Sequence, residues 1–235
     1  MPAIFIGHGN PMNAITDNPY REAWLKLGKT LPKPKAILCI SAHWQTRGTR
    51  VCAVDKPQTI HDFGGFPAEL FAQQYPAPGA PEYAKLVCDL LPKITSTQEW
   101  GLDHGAWTIM QSLFPKADVP VFQLSLDVNL NFSEHFQLAK ELAVLREEGI
   151  MMIGSGNIVH NLGRLNMQGK TPDWAIAFDN YIKQSLESED EAALIDITRA
   201  GDSATLSVPT DEHYLPLLYI AAMKHADDKL QFLTE

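Results

Sequence analysis

Five histidines stand where strands end or helices begin, and imidazoles gathered in that way suit a metal ion. His8 lies in IFIGHGNP, His43 in AILCISAHW, His160 in IGSGNIVHN and His213 in VPTDEHYLPLL. The first three come soon after short apolar runs that read as strands. In an open α/β sheet, ligands bind outside the carboxyl ends of the strands, so side chains repeated there converge. Imidazole is the commonest metal ligand among side chains and suits both Zn and Fe. His104, in GLDHGAW, sits at a predicted helix start, where the positive end of the helix dipole disfavours protonation. A neutral imidazole there suits hydrogen bonding to a substrate oxygen. His61 is expected at the pocket mouth, and His135 and His225 are expected as solvated residues of amphipathic helices.

The elements that must carry these residues alternate. Residues 3–6 read as a strand, Asn18-Pro19 as a helix start, Lys35–Ser41 as a strand apolar on both faces, and Val121–Leu126 and IMMIG as two more. Thr49–Val54 is expected to pair beside the second strand. Helices are predicted over about 82–91 and 104–114, from a cap at Ser133 to about 148, near 173–186 and 189–197, and from Thr210 onward with His213 in its first turn. Such alternation predicts one α/β domain over 1–235, with a mostly parallel sheet covered by helices on both faces. Trp24 and Trp174 fit core positions.

The stretch 55–81 is rich in Pro and Gly with aromatics between them, and a loop of this length inside a compact domain is usually functional. Phe63 and Phe66 are its candidate substrate contacts. Small residues around Ser155 are expected to leave room for a substrate, with Ser155 touching it and His160 facing it. GSGNIVHN matches neither a phosphate-binding loop nor the full elbow of a serine nucleophile.

With 45% hydrophobic residues the chain can build a sizeable core. A net charge of −9 argues against nucleic acid or an anionic membrane as partner, since both need basic patches. Cys39, Cys52 and Cys88 show no CxxC spacing and read as reduced, small apolar residues. Neither a signal peptide nor a membrane span is read, so a cytosolic location is expected; the oligomeric state is left open.

PAIFIGHGNPM, SAHW, HDFGGFP, YPAPG, GLDHGAW, GSGNIVHN and PTDEHYLPLL, in this order, resemble the motif series of class III extradiol ring-cleavage dioxygenases, closest to the 4,5-DOPA extradiol dioxygenase group. The resemblance covers nearly the whole chain. It implies one divalent metal per chain, Zn²⁺ or Fe²⁺, O₂ as co-substrate, and a small catechol opened to a semialdehyde. By the family pattern His8, His43 and His213 would be ligands, His160 the acid/base residue or a fourth ligand, and His104 a second catalytic histidine. Protocatechuate-type relatives complete the site with a carboxylate, whereas here His213 stands in register with Asp211 and Glu212 beside it. An all-histidine set is compatible with Zn²⁺, so zinc-dependent hydrolysis and a non-catalytic metal binder are the competing expectations.

Overall fold

The computed structural model describes residues 1–166 and 169–234. Strand β1 (Ala3–Gly7) leads through helix α1 (Pro19–Gly28) to strands β2 (Ala36–Thr46) and β3 (Arg50–Cys52). Then follow α2 (Ala68–Phe71), α3 (Pro81–Leu90), β4 (Thr95–Thr97), α4 (His104–Leu113) and β5 (Val121–Asp127). The rest is α5 (Phe132–Leu142), β6 (Ile150–Gly156), α6 (Asp173–Glu187), α7 (Glu191–Ile195), α8 (Asp202–Ser207) and α9 (Leu215–Ala222).

The strands form one sheet in the order β1-β6-β2-β5-β3-β4. The first four run parallel; β3 is antiparallel to β5 and parallel to β4. The predicted α/β architecture is the observed one. Alternation along β2 divides the core. Leu38 and Ile40 pack with Phe136 of α5, Phe178 of α6 and Leu218 of α9, while Ile37 and Cys39 face Trp24 of α1 and Trp107 and Ile109 of α4. Both faces are thus buried, which is why the parallel strands read as continuous apolar runs. No helix among the described residues is long and apolar enough to cross a membrane.

Several local expectations are corrected. Asn131, not Ser133, caps α5, in a capping box with Glu134, because its side chain can reach the Glu134 amide. That helix stops at Leu142 and tightens into a 3-10 turn at Ala143–Arg146. The last helix begins at Leu215, where Pro216 suits its first turn, so His213 precedes it. His135 is fully buried rather than solvated, with Nδ1 2.9 Å from the Tyr219 hydroxyl. His225 and Trp174 are half-buried. Amphipathic patterning counts histidine as polar, yet a ring with one satisfied nitrogen can be buried, here 5.6 Å from the ring of Tyr219.

Residues 55–81 are pinned at several points. Thr59 bridges to Leu102, Tyr75 is buried with its hydroxyl donating to the Phe114 carbonyl at 3.0 Å, and the indole N–H of Trp107 donates to the Ile60 carbonyl at 2.9 Å.

Candidate metal centre

Three features of the backbone bring the histidines together at the carboxyl end of the sheet. His8 follows directly after β1. Between Ile40 and Gln45, β2 slips against β5: six residues span what Leu124–Leu126 span in three, and His43 rides on this bulge, its amide donating to Ser41 Oγ at 3.2 Å. Two glycines allow the remaining segments to close in. A Cβ on Gly105 would lie 2.5 Å from Ser41 Oγ and 2.9 Å from His43 Cδ2, and one on Gly156 would lie 2.2 Å from the His213 carbonyl oxygen. Only glycine permits the first turn of α4 and the segment before α9 to approach the strand ends this closely.

The imidazoles then pack ring against ring. His43 and His104 have centroids 3.9 Å apart, and His160 stacks on His213 at 3.4 Å. His213 lies 5.3 Å from His8 and 5.1 Å from His43. The hydrogen-bond network assigns tautomers. Ser155 Oγ donates its only proton to the Gly105 carbonyl at 2.6 Å, so it can only accept from His8 Nδ1 at 2.9 Å. His8 Nε2 therefore carries a lone pair. Glu212 Oε1, which also accepts from Thr210, faces His213 Nδ1 at 3.0 Å. Asp62 Oδ2 lies 3.0 Å from His104 Nδ1 and 3.5 Å from His43 Nδ1, although the His104 N–H axis points off that oxygen. A carboxylate only accepts, so His213 too takes its proton on Nδ1 and leaves Nε2 basic.

His8 Nε2 and His43 Nε2 face one another at 3.1 Å. The lone pair of His8 Nε2 at that distance calls for a proton or a cation between the two nitrogens. Nitrogens of a tetrahedral Zn site with bonds of ~2.0–2.1 Å stand about 3.3–3.4 Å apart, so the separation fits an imidazole-bound cation. Protonation is suppressed as well. Burial and then the neighbouring imidazoles hold His8 well below its usual value, burial and then His104 bring His43 to about 3, and burial and then His213 bring His160 to about 4. The hydrogen bond from His213 holds Glu212 at about 2, so it remains an anionic acceptor. Neutral imidazoles backed by carboxylates or a hydroxyl are the donor set that a divalent metal requires.

Ligand atoms of His8, His43 and His104 lie within 4.8 Å of one another, and so do those of His160, Glu212 and His213. The expected trio of His8, His43 and His213 is thus divided between two adjoining groups, with His104 nearer the first. Phe63 meets His104 edge-on at 5.6 Å, and Phe66 packs behind Phe63 at 5.4 Å, one ring further out. His61 sits in the same aromatic group, 5.7 Å from Phe63 and 5.6 Å from Trp107. Ser155 is not where a substrate contact was expected. It is fully buried behind His8, and both its proton and a lone pair are engaged.

Three participants were not singled out in the sequence. Asp62 stands beside two site histidines. Asp103, fully buried, accepts from Ser41 at 2.7 Å, Gln123 at 2.7 Å, the Ala106 amide at 3.1 Å and Trp100 at 3.3 Å. Burial, then the charge of Asp62, raises its carboxyl, and the four donors answer that cost. Asn157 accepts from the Gly9 amide at 3.1 Å and places its own amide 3.3 Å from His8 Nε2. The HDFGGFP and GLDH motifs contained Asp62 and Asp103, but nothing in their spacing tells which carboxylate meets which ring.

Residues 3–234 match the family described as the catalytic LigB subunit of aromatic ring-opening dioxygenase. A 4,5-DOPA dioxygenase extradiol of Escherichia coli K12 is 47% identical over 227 residues, covering 94% of this chain and 84% of its own length. One from Beta vulgaris is 38% identical, covering 91% and 83%. The crystal structure of an uncharacterized protein from Escherichia coli K12 superposes with a TM-score of 0.86 at 41% identity, covering 100% of this chain and 93% of that one. The chain belongs to the LigB family of aromatic ring-opening dioxygenases.

Proposed function

We propose that the protein opens the aromatic ring of a small catechol beside its two hydroxyls, with O₂, giving a semialdehyde. The centre would hold one divalent metal, Zn²⁺ or Fe²⁺, through His8, His43 and His213, with His160 moving protons. A metal so held supplies a Lewis acid for the catechol oxygens, and iron adds the redox chemistry that O₂ requires. The observation that carries the division of roles is a contrast between rings. His8 and His213 each turn Nδ1 to an acceptor at hydrogen-bond distance, whereas no hydrogen bond to the His160 ring exists among the described residues. A half-buried, neutral imidazole with both nitrogens unengaged is suited to take a catechol proton and return it later. His104 presents a basic Nε2 as a second hydrogen-bond partner. Phe63 and Phe66 supply an aromatic wall on which the ring of a substrate can rest.

The test is anaerobic Fe(II) loading followed by a panel of catechols, read by oxygen uptake and yellow semialdehyde. His160→Ala is expected to lose ~10²–10⁴-fold in kcat while keeping its metal. Metal loss as complete as in His43→Ala would make His160 a ligand and leave His104 as the base. Metal retention in His213→Ala with loss in His104→Ala would exchange those two assignments. Turnover of an ester or amide without oxygen uptake would favour the zinc hydrolase.

A further inference from the structure

We propose that Asp62 is a positioning residue that sets the proton on the Nδ1 side of both His104 and His43, and so keeps their Nε2 atoms basic. The inference rests on the metal-binding reading of the centre. Asp62 comes from the loop between β3 and α2, not from either histidine's own element. Its Oδ1 accepts from the His104 backbone amide at 2.9 Å, which fixes the orientation of the carboxylate. Oδ2 is thereby turned to the two rings, 3.0 Å from His104 Nδ1 and 3.5 Å from His43 Nδ1. One carboxylate oxygen has lone pairs for two donors. A carboxylate oxygen only accepts, so Oδ2 offers each ring an acceptor on its Nδ1 side.

The neighbouring carboxylate cannot take over this role. Asp103 is occupied by its four donors, none of them a ring of the centre. Asp62 is also joined directly to Phe63, whose ring lies against His104. The same residue thus ties the aromatic loop to the orientation of the imidazoles.

Replacement by asparagine gives a sharp test because the two oxygens are not equivalent. The His104 amide can only donate, so the amide oxygen of Asp62→Asn must stay at the Oδ1 position. Its NH₂ group then takes the place of Oδ2 and donates toward Nδ1 of both rings. The isosteric change should drive the proton onto Nε2, the atom needed for a cation. Removal of the side chain in Asp62→Ala leaves Nδ1 to water and imposes no such reversal.

Nitrogen-15 spectra of histidine-labelled, metal-free protein report the tautomers directly. Wild type is expected to carry the proton on Nδ1 of His104 and His43, and Asp62→Asn on Nε2. Cobalt(II) titration should show affinity about 10–100-fold lower in Asp62→Asn, the usual cost of losing an outer partner of a metal ligand. The loss should be smaller in Asp62→Ala and partly recovered in Asp62→Glu. A wild-type Nε2–H tautomer at His104 would overturn the proposal without any variant. So would unchanged cobalt affinity in Asp62→Asn, or a larger loss in Asp62→Ala, which would mean that packing alone matters. None of these measurements uses catechol or oxygen. Wild type that binds cobalt but opens no catechol would sink the proposed activity and leave the role of Asp62 standing.

Discussion

The two ends of the parallel sheet treat polar groups in opposite ways. At the carboxyl end, imidazoles of like character are pressed together with ring nitrogens face to face, 3.1 Å apart at the closest. At the amino end, Arg146 is surrounded by acceptors. Its guanidinium donates to the Met1 carbonyl at 2.7 Å, the Met223 carbonyl at 2.6 Å and both carboxylate oxygens of Asp228 at 2.6 and 2.8 Å, while the N-terminal ammonium donates to the Arg146 carbonyl at 2.9 Å. One end is satisfied by its own groups; the other gathers donor atoms that could hold a cation. The difference teaches which polar cluster serves stability and which serves chemistry.

The contrast is broken most severely by single substitutions at each end. Arg146→Ala should lower unfolding free energy by about 3 kcal/mol, because a buried charge network loses its centre and two carbonyls lose their donor. Its metal content should remain about one ion per chain by elemental analysis. His43→Ala should show the reverse: almost no bound metal, and a metal-free form whose thermal midpoint falls far less. Equal loss of stability in the two metal-free variants would erase the distinction.

Acid separates the ends more gently. His43 titrates at 6.5 when unfolded and at about 3 in the metal-free fold, so the unfolded chain binds its proton first. The metal-free protein should therefore lose stability as pH falls from about 6.5 toward 3. Asp228 is held at about 2 by its bond to Arg146, against 3.8 unfolded. Its contribution is present above about 3.8 and disappears as pH falls through 2. Denaturant midpoints measured across this range should show an upper descent shared by His8, His43 and His160, lessened in His43→Ala, and a lower one shared by Glu212 and Asp228, lessened in Asp228→Asn. A single descent in wild type would mean that the ends are not independent.

The smallest effect is expected on the aromatic wall. Phe66→Ala, one ring removed from His104, should raise catechol KM only a few-fold, consistent with ~0.5–1.5 kcal/mol for an aromatic contact, and Phe63→Ala should raise it more. Equal KM values in both variants and wild type would make the loop purely structural.

Much of the carboxyl end was legible in the sequence because histidine after an apolar run is a local pattern. His8, His43, His104, His160 and His213 all reach one cluster. The partners that select their tautomers were not legible, since Asp62 lies 42 residues from His104 in the chain and Ser155 147 from His8. Ser155 was misplaced for the same reason: a small residue beside glycines signals close approach but not what approaches. The amino end was invisible, because an arginine after a helix looks like a solvated residue until the chain termini fold back onto it. His135 shows the limit of periodicity, which cannot see Tyr219 waiting across the core.

The slip between β2 and β5 has a consequence for motion. Regular pairing holds Ile37–Ile40 in the sheet, whereas the His43 amide donates to the hydroxyl of Ser41, two residues back. The segment Ala42–Trp44 lacks the regular register with β5 that holds its neighbours, although Ser41 still pairs with Ser155 of β6. Its amides should exchange with deuterium well before those of Ile37–Ile40 and become protected when a cation is added. A cation held by His43 would then add order to the strand at the point where its pairing slips.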